Sequence, residues 1–269
     1  MVALARLIHP APATAVVTLS AALGAILSAQ AGLEVGWRIV LTTLSVAGSQ
    51  ILTGALNDWA DRGRDAVAQP GKPIPSGAVT PRAALIVAGG GALVQLAASL
   101  PLGGVPLLLG AAASASAVAY NLWLSRTPLS VLPYLVSFGI LPLWVAAGVG
   151  VDLSRVAVAP VLVGPFAAAA HLANTLRDFD PDARLGSRNL AQTLGQAPAF
   201  RVAWGLAMAV GLGVGTALAI GGRTAPATIG LGLAGLAAVT QGMAGPQRLW
   251  AGMLVAAVCW TVAWALATA

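Results

Sequence analysis

Charge is scarce in this chain. Of 269 residues, Lys and Arg account for 14 and Asp and Glu for 8, together 8% of the sequence. Soluble domains carry about a quarter charged residues, so a water-soluble globule is excluded. Disordered chains are polar and charged, so disorder is excluded with it. The single cysteine, Cys259, sits inside an apolar run, where it can form no internal disulfide and no metal site. No Gly period and no charged heptad flank is present, which removes collagen-like and coiled-coil readings.

What the chain has in abundance is apolar sequence: 58% of residues belong to the hydrophobic set, and the mean hydropathy is +0.86. One membrane span needs about 20 apolar residues. Apolar runs over 12–31, 37–56, 81–100, 104–123, 130–150, 156–174, 197–220, 225–243 and 248–268 predict an all-α polytopic bundle of nine spans around a central cavity. Gly and Ala recur in every run, which suits close approach between membrane helices. The first run carries Ala29-Gln30-Ala31, an A-x-A pattern, but it is long for a secretory signal and opens with Pro10, Pro12 and Thr14. It reads as an uncleaved helix.

The net charge of +6 does not describe a nucleic-acid surface, because the arginines stand singly at the ends of apolar runs. They report topology instead. With the N-terminus in the cytoplasm, Arg6, Arg62, Arg64, Lys72, Arg82, Arg126, Arg177, Arg184, Arg188, Arg201 and Arg248 lie on the cytoplasmic side, 11 of the 14. Arg38, Arg155 and Arg223 lie outside. A multi-pass protein of a bacterial cytoplasmic membrane is expected.

Six of the eight acids fall in two polar segments, 57–80 and 174–195, both read as cytoplasmic loops. The first begins Asn57-Asp58-Trp59-Ala60-Asp61-Arg62-Gly63-Arg64-Asp65. The second begins Asn174-Thr175-Leu176-Arg177-Asp178-Phe179-Asp180-Pro181-Asp182. The pattern Asn-x3-Asp-x3-Asp recurs at a constant offset: 174 − 57, 178 − 61 and 182 − 65 all equal 117. That regularity predicts one membrane domain with an internal repeat, approximately 12–123 and 130–243. Asp180 has no counterpart in the first copy, and Asp58 aligns with Thr175.

Residues four apart on a helix share a face, so each motif aims an amide and two carboxylates one way. Carboxylates that close repel unless a cation lies between them. An oxygen-only set suits a hard cation, and Mg²⁺ is the usual one where phosphates complete its shell. Asn57, Asp61, Asp65, Asn174, Asp178 and Asp182 are therefore the expected metal ligands, with a diphosphate as the anion. Lys72, the only lysine, lies in Gly71-Lys72-Pro73-Ile74-Pro75-Ser76-Gly77, where two prolines stiffen the backbone. It and Arg126 are candidate phosphate contacts.

Asn57-Asp58-x-x-Asp61-x3-Asp65 followed by Lys72-Pro73-Ile74-Pro75-Ser76-Gly77 resembles the first signature of the UbiA superfamily of intramembrane prenyltransferases. Asn174-x3-Asp178-x3-Asp182, with Gly186 and Gly195 after it, resembles the second. Lys72 stands where the family usually has arginine. Tyr120 is followed by Asn121-Leu122-Trp123-Leu124-Ser125-Arg126, with serine near the lysine the family often has. The resemblance implies an isoprenyl diphosphate whose tail lies between helices. Its headgroup would be held through Mg²⁺ by Asp61, Asp65, Asp178 and Asp182, with Asn57, Asn174 and Lys72 assisting. The prenyl group would pass to a small acceptor, with an aromatic one expected. Tyr120, Trp123, Tyr134 and Phe138 are candidates to shield an allylic cation. Gln50, Thr53 and His171 would line the deep end of the cavity, and His9 is the nearest candidate to hold an acceptor carboxylate. An intramembrane terpene cyclase is the alternative with the same ionisation, and a membrane carrier is the alternative of another class.

Overall fold

The computed structural model describes residues 2–222 and 225–268; Arg223 lies outside them. Among the described residues the chain is all α, with no strand. The helices are α1 (Val2–Arg6), α2 (Pro10–Gln30), α3 (Trp37–Ala68), α4 (Pro81–Ser99), α5 (Gly104–Leu122), α6 (Leu132–Val149), α7 (Ala159–Arg177), α8 (Phe179–Arg184), α9 (Leu190–Leu194), α10 (Gln196–Ile220), α11 (Pro226–Gln241) and α12 (Pro246–Thr268). Nine of the described segments are long and apolar enough to cross a membrane. Large apolar side chains such as Ile86, Leu93, Leu108, Val161 and Ile220 are exposed, as lipid-facing surface requires.

Two compact units divide the chain: residues 1–125 with 140–157, and residues 126–139 with 158–269. In the first unit α3 and α4 touch backbone to backbone. A Cβ added to Gly91 would fall 2.5 Å from the Leu52 nitrogen and 2.7 Å from the Gly48 carbonyl oxygen. Buried hydroxyls bond across this seam and beside it: Ser45 of α3 and Ser99 of α4 have Oγ atoms 2.6 Å apart, and Ser114 of α5 donates to Gln95 Oε1 of α4 at 2.8 Å. Trp144 fills the centre against Val46 and Ala113. In the second unit α7, α10, α11 and α12 enclose a core built on Leu172, Leu249, Met253 and Trp260. The Trp260 ring sits against Gly211 and Gly235 and donates from Nε1 to the Gly232 carbonyl at 3.2 Å.

Two elements differ from the expected layout. The run 37–56 was read as a span ending before the first acid cluster, yet α3 continues unbroken to Ala68. The stretch 57–68 holds no proline and a single, tolerated glycine, Gly63; the Pro70-Gly71 pair is the first strong stop. The first twelve residues of the supposed loop are therefore helix. The second cluster was expected to lie on one helix face, but α7 stops at Arg177 and Asp178 takes up φ −107°, ψ 22° before α8. Pro181 has no N–H to donate to Arg177, and its ring crowds that carbonyl, which favours the break seen at Asp178.

Candidate functional site

The first cluster stands on the polar end of α3. Asn57, Asp61 and Asp65 follow one another at single-turn intervals, as their spacing requires. Asn57 donates from Nδ2 to Asp61 Oδ2 at 3.4 Å and to Asn121 Oδ1 at 3.2 Å. Asn121 is buried and anchors the pair by donating to the Thr53 carbonyl at 2.8 Å. The sequence had pointed to Tyr120; the residue that bonds Asn57 is its neighbour. Thr53, assigned to the deep cavity, donates its hydroxyl to the Ser49 carbonyl at 2.9 Å, a bond internal to the helix.

The centre of this unit's site is Asp58, whose role the sequence left open. Its side chain is 2% exposed, and Oδ1 stands 3.1 Å from both His9 Nε2 and Lys72 Nζ. Among the described residues neither Asp58 oxygen has a well-aligned hydrogen bond, so charge holds the group. Lys72 also donates to Asp65 Oδ2 at 2.9 Å. Burial opposes the ammonium's charge, but the hydrogen bond to Asp65 and the charge of Asp58 outweigh it. The Lys72 pKa is held above its ordinary 10.5. The loop is rigid around it: Ser76 N–H bonds the Lys72 carbonyl and Val79 N–H bonds the Pro73 carbonyl, at 3.0 and 2.9 Å.

His9 reaches Asp58 through local backbone strain. It sits at φ 48° before Pro10, the single non-glycine residue with positive φ among those described. Residue 54 must be glycine for this link, since a Cβ there would lie 2.9 Å from the Ile8 Cα. Gly54 and Asp58 share a helix face, so the close approach delivers His9 to the carboxylate one turn on. His9 is thus already paired with a carboxylate of the protein.

The second cluster is more open. Asn174 is exposed and accepts from Arg177 Nη1 at 3.2 Å; the Arg177 guanidinium lies 4.6 Å from the Trp250 ring centroid. Asp178 and Asp180 are exposed. Asp182 is half-buried, and Asn189 donates to its Oδ2 at 3.1 Å. Sequence reading missed Asn189, although the offset of 117 from Lys72 would have found it. Arg126 is exposed in the 3₁₀ turn Leu124–Arg126, and its carbonyl accepts from Arg188 N–H at 3.2 Å. His171 is buried one turn inward from Asn174, stacked on Tyr134 with ring centroids 4.2 Å apart; Tyr134 stacks in turn on Phe138 at 6.0 Å. Trp123 is 66% exposed.

Among the described residues no three His, Cys, Asp or Glu side chains close into a metal cage. Mg²⁺ does not need one: it is usually bound by one or two carboxylates, with water and substrate phosphates completing the shell. The first cluster fits that habit. Its donors are all oxygens, and Asp58 and Asp65 are drawn together by the Lys72 ammonium, a cation already standing between carboxylates.

The profile of the UbiA prenyltransferase family matches residues 17–248. The chain belongs to that family. Among relatives of this UbiA chain, digeranylgeranylglyceryl phosphate synthase of Natronomonas pharaonis is 32% identical over 166 residues, 60% of each protein. The synthase of the same name from Haloquadratum walsbyi is 27% identical over 186 residues, 65% of this chain and 64% of that one. The aligned part thus spans somewhat less than two thirds of either relative. The fold matches that of a UbiA homologue from Aeropyrum pernix, with TM-score 0.75 and 21% identity over 93% of this chain and 95% of that one. It also matches a UbiA homologue from Archaeoglobus fulgidus bound to GPP and Mg²⁺, with TM-score 0.74 and 15% identity over 99% and 100% of the two chains.

Proposed function

We propose that this chain is a multi-pass, Mg²⁺-dependent membrane prenyltransferase with its acidic clusters on the cytoplasmic side. The observation that carries the reading is the twice-written Asn-x3-Asp-x3-Asp motif, with a lysine ammonium 2.9 Å from the last carboxylate of its first copy. Asp61, Asp65, Asp178 and Asp182 are the residues to hold Mg²⁺ against the diphosphate. Bound Mg²⁺ supplies Lewis-acid stabilisation of the leaving diphosphate. Asn57 orients Asp61, and Lys72 offers a permanent positive charge to the phosphate oxygens. The bond between the prenyl C1 and the diphosphate oxygen breaks, a bond from C1 to the acceptor forms, and the acceptor gives up its proton. Tyr134, Phe138 and His171 present stacked rings beside the second cluster, where π-faces favour an allylic cation.

The relatives' names make geranylgeranylglyceryl phosphate the first acceptor to test, and an aromatic acid such as 4-hydroxybenzoate the second. Purified protein in detergent, given geranylgeranyl diphosphate, Mg²⁺ and each acceptor, is expected to release diphosphate and form a product heavier by one prenyl group. Cyclised hydrocarbon in the absence of acceptor would make the chain a cyclase. No Mg²⁺-dependent diphosphate release with any acceptor would overturn the proposal.

A further inference from the structure

The segment ahead of α2 is fastened to the loop that carries Lys72. Arg6 donates from Nη2 to the carbonyl of Gly71, the residue before Lys72, at 3.1 Å. Leu7 is fully buried and shares one apolar cluster with Ile74 and Val79 of the loop and with Ala55 and Leu56 of α3. His9 Nε2 stands 3.1 Å from Asp58 Oδ1, the same oxygen that Lys72 Nζ approaches to 3.1 Å. The segment therefore meets the ammonium twice over, through the backbone of its loop and through its buried carboxylate.

The backbone at His9 is strained for this contact. A residue before proline prefers the extended region, yet His9 sits at φ 48°, ψ 69°. Such a conformation persists where its surroundings hold it. Here Leu7 is anchored in the core on one side, and the missing side chain of Gly54 admits Ile8 against the α3 backbone.

The two carboxylates that grip Lys72 are not alike. Asp65 is a candidate Mg²⁺ ligand; Asp58 is not among those ligands, and its side chain is 2% exposed. Where a metal draws on Asp65, Asp58 is the group left to keep the ammonium in place for an arriving phosphate. A buried carboxylate keeps its charge and its orientation through its partners, and His9 is the partner of Asp58 that is not itself a candidate phosphate contact.

We infer that His9 is a positioning residue for Lys72: by fixing Asp58 it sets where the ammonium meets the diphosphate, which makes the segment ahead of the first span part of the substrate site. This rests on the diphosphate-binding reading proposed above.

The full chain in detergent, with Mg²⁺ and the unreactive analogue geranylgeranyl S-thiolodiphosphate, gives an affinity by calorimetry without turnover or acceptor. His9→Gly suits the positive φ and removes the imidazole; it should weaken binding about tenfold, the scale of coupling between contacting groups of one network. His9→Gln carries an N–H donor close to the place of Nε2 and should recover most of that loss, whereas the shorter His9→Asn should not. In a Lys72→Gln background, weakened already, His9→Gly should cost about twofold or less, because it acts through the ammonium. A merely structural histidine would cost the same in both backgrounds. Parent-like affinity in His9→Gly, or equal losses in the two backgrounds, would overturn the inference and leave the prenyltransferase reading standing. Absence of Mg²⁺-dependent binding by the parent would overturn both. If His9→Gly does not fold, His9→Asn takes its place in the same cycle.

Discussion

Asp58 and Asp61 lie three positions apart on α3 and do different work. Asp58 is buried with its charge set against Lys72 and His9, whereas Asp61 is partly open and bonded to Asn57. Asp58→Asn keeps the shape but strips Lys72 of one carboxylate, so thermal unfolding in detergent should show a loss of about 1–3 kcal/mol. Asp61→Asn should stay within about 0.5 kcal/mol of the parent in the same measurement. Its diphosphate release should nonetheless fall about a hundredfold or more, the scale of losing one group that stabilises developing charge. Lys72 adds a pH dependence whose sign is fixed. Its pKa is raised on folding, so its contribution to stability is whole below the unfolded value of 10.5 and is lost as pH rises through the higher folded value. The stability gap between parent and Lys72→Gln should be constant from pH 7 to about 9.5 and should close above that. A gap that widens with pH would contradict the pairing.

Helix existence was legible in the apolar runs, because in a bilayer each span must satisfy its own backbone. Helix ends were less so. α3 outlasts its apolar run by three turns since the polar stretch 57–68 contains no proline and only the isolated Gly63, and hydropathy reports lipid contact, not helicity. The break at Asp178 was readable in principle from Pro181, but the four-residue spacing argued for continuity. The role of Asp58 stayed open because it is set by contacts with His9 and Lys72, and no local pattern in the sequence announces them. Small residues were expected to bring helices together, and the α3–α4 seam is where they do. Gly91→Ala would press a methyl into the α3 backbone. About 1–3 kcal/mol of overpacking cost is expected, visible as earlier unfolding and lower yield of monodisperse protein. Gly89→Ala, with nothing within 4 Å of its added carbon, should be neutral.

At the scale of the chain, nine candidate spans among the described residues and the excess of Arg on alternate loops predict an orientation with the acidic clusters on the cytoplasmic side. In a Cys259→Ser background, a cysteine at Ala78 should react with an impermeant thiol reagent only from the cytoplasmic face, and one at Asp152 only from the outer face. The reverse pattern would invert the orientation. The central proposal is that both copies of the acidic motif are required for diphosphate release. Mg²⁺-dependent diphosphate release from geranylgeranyl diphosphate, measured for Asp61→Asn, Asp178→Asn and the double variant, tests that most directly. Joint action predicts that either single change removes nearly all turnover and that the second removes little more, as for groups that work as a unit. A single variant that retains turnover near the parent rate, or losses that simply multiply in the double variant, would contradict it.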